Sequence, residues 1–253
     1  LDDTGSADVI GAVAIGYNAL TSANNTNIDY SVGIGHSSLQ ALQSGQHNVG
    51  VGFQSLTSTN GGQFNVAMGS ETGKFNVTGT GNILMGYQAG RGASGNSYTY
   101  NIGIGYQALY NVTTGGNNVV IGTLAGIAIS EGEKNIIIGR DAGKDISTGD
   151  SNVAIGHQAL YVENTGTYAV AIGYRSGYKN RLSAQNENVF IGSNAGRENT
   201  DGNDNVYVGY AAGYGLDGEG AANNTAVGNQ ALRYAKGNDN IGIGHDAGRH
   251  ATG

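Results

Sequence analysis

An all-β parallel solenoid is the fold class this sequence predicts, and three observations predict it. The first is a repeat. The motif Asn-Val-x-Ile-Gly-x-x-Ala recurs with variations, and its glycine falls at 16, 35, 52, 69, 86, 105, 122, 139, 156, 173, 192, 209, 228 and 244. A period this short marks a stacked array, in which each unit buries its apolar edge against its neighbours. The second is that β-branched residues dominate two positions spaced two apart, as one face of a strand requires. The third is that the intervening stretches are rich in Gly, Asn, Thr, Ser and Asp, the residues of turns.

The elements follow from one repeat, with the motif glycine set at position 0. Position −3 runs from Val13 and Val32 to Thr225 and Ile241, and position −1 from Ile15 and Ile34 to Val227 and Ile243. Both are read as the inward face of a strand of about four or five residues. Position −2 then points the other way. It is small or apolar throughout, from Ala14 and Gly33 to Phe190 and Tyr207, and never charged. A wet face would carry Lys, Glu or Thr, so this row is expected to be covered by further copies of the chain. Position −4 is Asn in most repeats, among them Asn48, Asn65, Asn82 and Asn205. Stacked in register, such residues form an amide ladder. The glycine at 0 suits a corner needing positive φ or close approach.

Position +3 is always small (Ala, Ser or Thr), so it reads as a second inward position with little room. Position +4 is Leu (20, 39, 56, 109, 160, 232) or Gly (73, 90, 126, 143, 177, 196, 213, 248). Leucine there is expected to plug the core, and glycine to turn the chain earlier. The variable stretches, such as 94–100 and 179–186, read as outer loops that tolerate insertions. Residues 1–253 form one solenoid domain of about fourteen coils, each of 16–19 residues. Residues 1–11 are read as an N-terminal cap or continuation, and 249–253 as a tail. The chain starts mid-pattern, so it reads as part of something longer.

Composition excludes several classes. Glycine is 46 of 253 residues, yet there is no G-X-Y period and no proline, so the chain is neither collagen nor a disordered linker. The net charge of −7 argues against nucleic acid and anionic membranes. Zero cysteines remove a disulfide framework and thiolate metal sites. No apolar run approaches 18 residues, so no membrane insertion is expected.

Candidate sites fare poorly as chemistry. The histidines are His36, His47, His157, His245 and His250. Three of them share position +1 with Tyr17, Phe53, Tyr87, Tyr106, Tyr174 and Tyr210. That slot reads as one for flat side chains that stack between coils, ahead of any metal or acid–base role. Asp239 and Asp246 have no partner pattern pointing to a glycosidase. The turns Gly202-Asn203-Asp204-Asn205 and Gly237-Asn238-Asp239-Asn240 are similar to a calcium roll, but that roll needs Asp in nearly every turn and a nine-residue period. Gly33-Ile34-Gly35 and its like lack the helix of a nucleotide loop. No Thr-x-Thr row supports ice binding. No catalytic, cofactor or metal residues are therefore assigned. Tyr98, Tyr100, Tyr161, Tyr168, Tyr178 and Tyr214 could stack on glycans, or pack between coils.

Asn152-Val153-Ala154-Ile155-Gly156 and Ala169-Val170-Ala171-Ile172-Gly173 resemble the Ser/Asn-Val-Ala-Ile-Gly repeats of trimeric autotransporter adhesin heads. The longer form, at 101–109 and 152–160, is similar to repeats of phage tail fibres and related bacterial tail-fibre-domain proteins. The likeness covers nearly the whole chain, although these coils are longer than those of the adhesin heads. It implies a homotrimer of parallel β-rolls, extracellular, on a virion tail fibre or a bacterial surface. The expected function is that of a non-enzymatic adhesin or tail-fibre segment contacting a host-surface glycan or protein receptor. The alternatives are a passive shaft whose binding tip lies elsewhere, and a tailspike-type fibre that degrades polysaccharide.

Overall fold

A computed structural model of the chain describes residues 10–22, 28–162, 165–180, 187–200, 202–215 and 221–251. Most of the cap read at 1–11, the last two residues of the tail, and 181–186 of one predicted loop lie outside the described residues. Among those described there is no helix, and each motif forms one short strand. In chain order these are β1 Val13–Ile15, β2 Val32–Ile34, β3 Val49–Val51, β4 Val66–Met68, β5 Ile83–Met85, β6 Ile102–Ile104, β7 Val119–Ile121, β8 Ile136–Ile138, β9 Val153–Ile155, β10 Val170–Ile172, β11 Val189–Ile191, β12 Val206–Val208, β13 Thr225–Val227 and β14 Ile241–Ile243. The backbone groups into two compact units, Leu1–Leu124 with β1 to β7 and Ala125–Gly253 with β8 to β14. Within each unit consecutive strands pair parallel, motif position against motif position, and six turns stack. The chain is thus an all-β parallel β-solenoid.

The strands have three residues each, shorter than the sequence suggests, because left-handed corners bound them. Four positions of every coil have positive φ: −5, 0, +2 and +4. Residues such as Tyr30, His47 and Leu39 would ordinarily resist this conformation. Bonds between coils hold them there. The N–H of His47 donates to the Asp29 carbonyl at 3.0 Å, that of Ser37 to Tyr17 at 2.8 Å, and that of Leu39 to Ser55 at 3.0 Å. At position 0 the constraint is absolute. A Cβ on Gly156 would lie 2.5 Å from the Gly173 carbonyl oxygen, and Gly16, Gly52, Gly105 and Gly209 repeat this approach, whereas Gly244, with no coil after it, has nothing within 4 Å. Position +4 takes the same left-handed turn with either residue: Leu39 has φ 49° and Gly213 φ 51°. The expectation that glycine turns the chain earlier is therefore wrong.

The two strand faces are the reverse of the sequence reading. Position −2 points inward, and the middle residue of β2 to β14 is buried. Positions −3 and −1 point outward and stay partly or largely exposed, as with Ile83 and Met85. Alternation groups −3 with −1 but does not say which side is wet. β-branching reports a pleated surface, not its burial. The interior is too narrow for two large side chains per strand, because positions +3 and +4 already enter it. Ala108, Ser55, Ser176 and Leu109 are fully buried there, as expected of those positions.

The core is filled by one large residue at a time. Coils with Leu84, Val120, Ile137, Phe190 or Tyr207 at −2 all have Gly at +4, whereas every Leu at +4 accompanies Ala or Gly at −2. The contacts explain this. A Cβ on Gly90 would lie 2.6 Å from Leu84, one on Gly196 2.4 Å from Phe190, and one on Gly213 2.4 Å from Tyr207. Between coils, a Cβ on Gly50 would approach Leu39 of the preceding coil to 3.1 Å.

The amide ladder forms. Asn65 Oδ1 accepts the Asn82 backbone N–H at 3.0 Å and its Nδ2–H at 2.9 Å. Asn65 Nδ2 donates to Asn48 Oδ1 at 3.0 Å and to the Gly79 carbonyl at 2.9 Å. The pattern runs on to Asn118 in the first unit, and through Asn188, Asn205, Asn224 and Asn240 in the second. All but Asn240 are buried. Ser31 opens the column with its hydroxyl, which accepts the Asn48 N–H at 3.2 Å.

Candidate interaction surface

Because successive side chains leave opposite sides of a strand, positions −3 and −1 share one outer face, and positions −5 and +1 flank it along the chain. Of the large apolar and aromatic side chains exposed among the described residues, all but Ile10 occupy these four positions. In the first unit the centre of the face holds pairs such as Val32 and Ile34, Val66 and Met68, and Ile102 and Ile104. None of the four positions on its seven strands carries Asp, Glu, Lys or Arg. From strand spacing and rise alone, the face of one unit covers roughly 600 Å². The second unit has a centre of the same kind, ending with Ile241 at 76% and Ile243 at 71% exposure.

Two margins flank that centre. On the +1 side His36 lies between Tyr17 and Phe53, with ring centroids 5.2 and 5.4 Å away, and Tyr87 stacks on Tyr106 at 5.3 Å. On the −5 side His47 is sandwiched between Tyr30 at 5.1 Å and Phe64 at 5.2 Å. In the second unit His157 meets Tyr174 at 5.6 Å. Rings thus meet between coils at seven of the +1 positions, whereas Tyr210 has Ser193 and Asn229 as its neighbours in the slot and His245 sits 3.3 Å from Asp246. The margins of the second unit are charged, with Lys134, Glu187, Asp204 and Asp239 at −5 and Arg140, His157 and His245 at +1.

The loop tyrosines divide. Tyr98 is fully buried and donates its hydroxyl to the Gly90 carbonyl. Burial pushes its phenol well above the ordinary range. Tyr161 and Tyr178 stack on each other at 5.0 Å, and Lys144 donates to the Tyr161 hydroxyl at 3.0 Å. That bond raises the Lys144 pKa. Tyr214 lies under Arg197 and Arg233, each 5.4 Å from its ring, and Arg233 also covers Tyr234 at 4.9 Å. Only Tyr100 and Tyr168 of the six keep large exposed surfaces, both at position −5. Nothing in the sequence pattern separated these fates. Residue type alone does not say whether an aromatic faces its neighbour coil or solvent.

The remaining candidates are not assembled into a reaction centre. Asp246 pairs with His245 and Arg249, while Asp239 sits at the −5 margin. Among the described residues no three His, Cys, Asp or Glu side chains lie close enough to hold a metal ion. No helix among them is long and apolar enough to cross a membrane. A cavity of about 20 Å³ beside Tyr207, Asn224 and Leu232 has room for about one water. Glu71 anchors a surface network in the first unit. It accepts from Lys74 at 2.6 Å, Gln88 at 2.7 Å and Arg91 at 3.2 Å. The Lys74 hydrogen bond first, then that of Gln88, holds its carboxyl down at about 2. No family model, curated protein or solved structure matches the chain.

Proposed function

We propose that this chain is a segment of a non-enzymatic, extracellular fibre, built when further copies cover the flat apolar face, and that it contacts a host or cell surface as an adhesin or tail-fibre segment. The observation that carries the reading is the face itself. Isoleucines, valines and methionines stand in rows at −3 and −1, flanked by aromatic margins and, in the first unit, free of charged residues. A contiguous apolar area of this size on a soluble chain marks an association site. It is also of the order of the roughly 800 Å² per partner found in stable interfaces. The copy number of three comes from the resemblance to trimeric adhesin heads and tail fibres. Light scattering behind a sizing column tests it. A mass near three times 25.7 kDa is expected, and a clean monomer would overturn the fibre reading.

One observation favours the passive shaft as a second reading. Tyr98, Tyr161, Tyr178 and Tyr214 already pack against their own coils, and the aromatics that stay exposed, Tyr100 and Tyr168 among them, stand in the margins of the face that further copies would cover. Incubating labelled protein with candidate host cells separates the two. Saturable binding supports an adhesin, and an oligomer that binds none of them supports a shaft.

A further inference from the structure

We propose that copies of this chain associate side by side and parallel, with the −5 margin of one copy packed against the +1 margin of the next. This rests on the oligomeric reading above and adds its geometry. The partner is a second copy, and the two margins are unlike surfaces that meet each other.

In the first unit either margin would accept either margin, since both are uncharged and aromatic. The second unit decides. Its −5 margin carries Glu187, Asp204 and Asp239, all exposed, and none makes an ion pair among the described residues. Its +1 margin carries no acid at any of its seven positions, but presents Arg140, His157 and His245. The acids behind that margin are outnumbered. The buried Asp141 has Arg140 at 3.3 Å, Lys144 at 3.9 Å and His157 at 4.0 Å around it, and Asp246 has His245 and Arg249. Packing −5 against −5 would set unpaired carboxylates facing one another. Packing −5 against +1 with like coils level sets Asp239 facing His245, and Glu187 and Asp204 facing the uncharged Ser193 and Tyr210, which removes that repulsion and disfavours the alternative.

Geometry agrees. A contact between two unlike surfaces is heterologous, and it closes into a ring when each copy is rotated about a common axis. With the axis along the coil stack, closure leaves no shift between copies, so like coils sit level. Asp239 of one copy then faces His245 of the next, beside β14. The coil of β8 adds no clash, because Lys134 has Glu133 at 3.9 Å and Arg140 has Asp141 at 3.3 Å.

The chain has no cysteine, so disulfide trapping reads the contact directly. Asp239→Cys and His245→Cys are made singly and together, with Asp204→Cys and Tyr210→Cys as a second pair two coils away, beside β12. Within one chain the two residues of each pair flank a three-residue strand, whose extended backbone alone spans about 10 Å, too far to bridge. Oxidation is expected to link chains in the double variants and in co-refolded mixtures of the two singles. Neither single alone should link, and reductant should reverse the product. Linking by a single variant would overturn the pairing, because like margins would then be meeting. Protein that sizes as an oligomer yet links in neither pair would overturn it as well, while leaving the fibre reading intact. A monomer on the sizing column removes both.

Discussion

At the scale of single residues, the solenoid core works by exclusion: position −2 and position +4 compete for one volume. Phe190→Ala should cost about 3–5 kcal/mol, because nothing else fills its space between Gly177 and Gly196. Adding Gly196→Leu should return about 1 kcal/mol. Burying a leucine contributes roughly 2–3 kcal/mol, and its left-handed turn costs roughly 1–2. Denaturant melts of the single and double variants check this, and a double variant no more stable than Phe190→Ala would refute the exclusion rule. Glu71 makes a pH prediction. Its carboxyl is depressed from an ordinary 4.5 to about 2, chiefly by Lys74. The stabilisation is therefore complete above about pH 4.5 and is lost as pH falls through 2. Glu71→Gln should lower the melting temperature at pH 7 by a small margin that closes as pH approaches 2. The pair rule between −2 and +4 was legible in the sequence, because large residues at −2 never coincide with Leu at +4. The left-handed corners at −5 and +2 were not. Tyr, His, Gln and Arg occupy them, and only the bonds to adjacent coils make that conformation affordable.

At the scale of the element, each strand is too short to hold itself, and the asparagine column substitutes for length. Asn65→Ala should leave the buried Asn82 backbone N–H without its acceptor, while the Gly79 carbonyl loses one of two donors and keeps Asn76 Nδ2 at 3.2 Å. A loss of about 1–3 kcal/mol follows from one orphaned group. Amide exchange should quicken most at Asn82. A uniform change across the unit would count against the column as a local clamp. Nature supplies a milder case: Ala169 stands where the amide would be, and its N–H still reaches Asn152 Oδ1 at 2.9 Å. The strands, the ladder and the small inward +3 row were all readable from the motif. The strand faces were read backwards, for an identifiable reason. A row of Ile and Val looks like a core, and a row of Ala and Gly looks like a close contact between molecules. In a thin coil the interior itself is the close contact.

At the scale of the whole molecule, that reversal moves the site of association from the −2 row to the −3 and −1 rows. Tyr207→Lys, which the sequence reading would use to split an oligomer, instead sets a charge beside Phe190 inside the coil and should destabilise the fold. Ile104→Lys is the appropriate probe. Its side chain leaves the outer face, so the melting transition of the separated chain should move by no more than about 0.5 kcal/mol, while the oligomer mass should fall. An unchanged mass in sizing experiments would exclude this face as the interface. The direction of the asparagine bonds has a further consequence. Each Oδ1 accepts from the coil that follows it in the chain, so a finished coil presents acceptors to the one still to be made. The partner of every such bond lies only 16–19 residues ahead. Assembly can thus proceed in the order of synthesis, each turn templating the next, and the search for partners does not lengthen as coils are added.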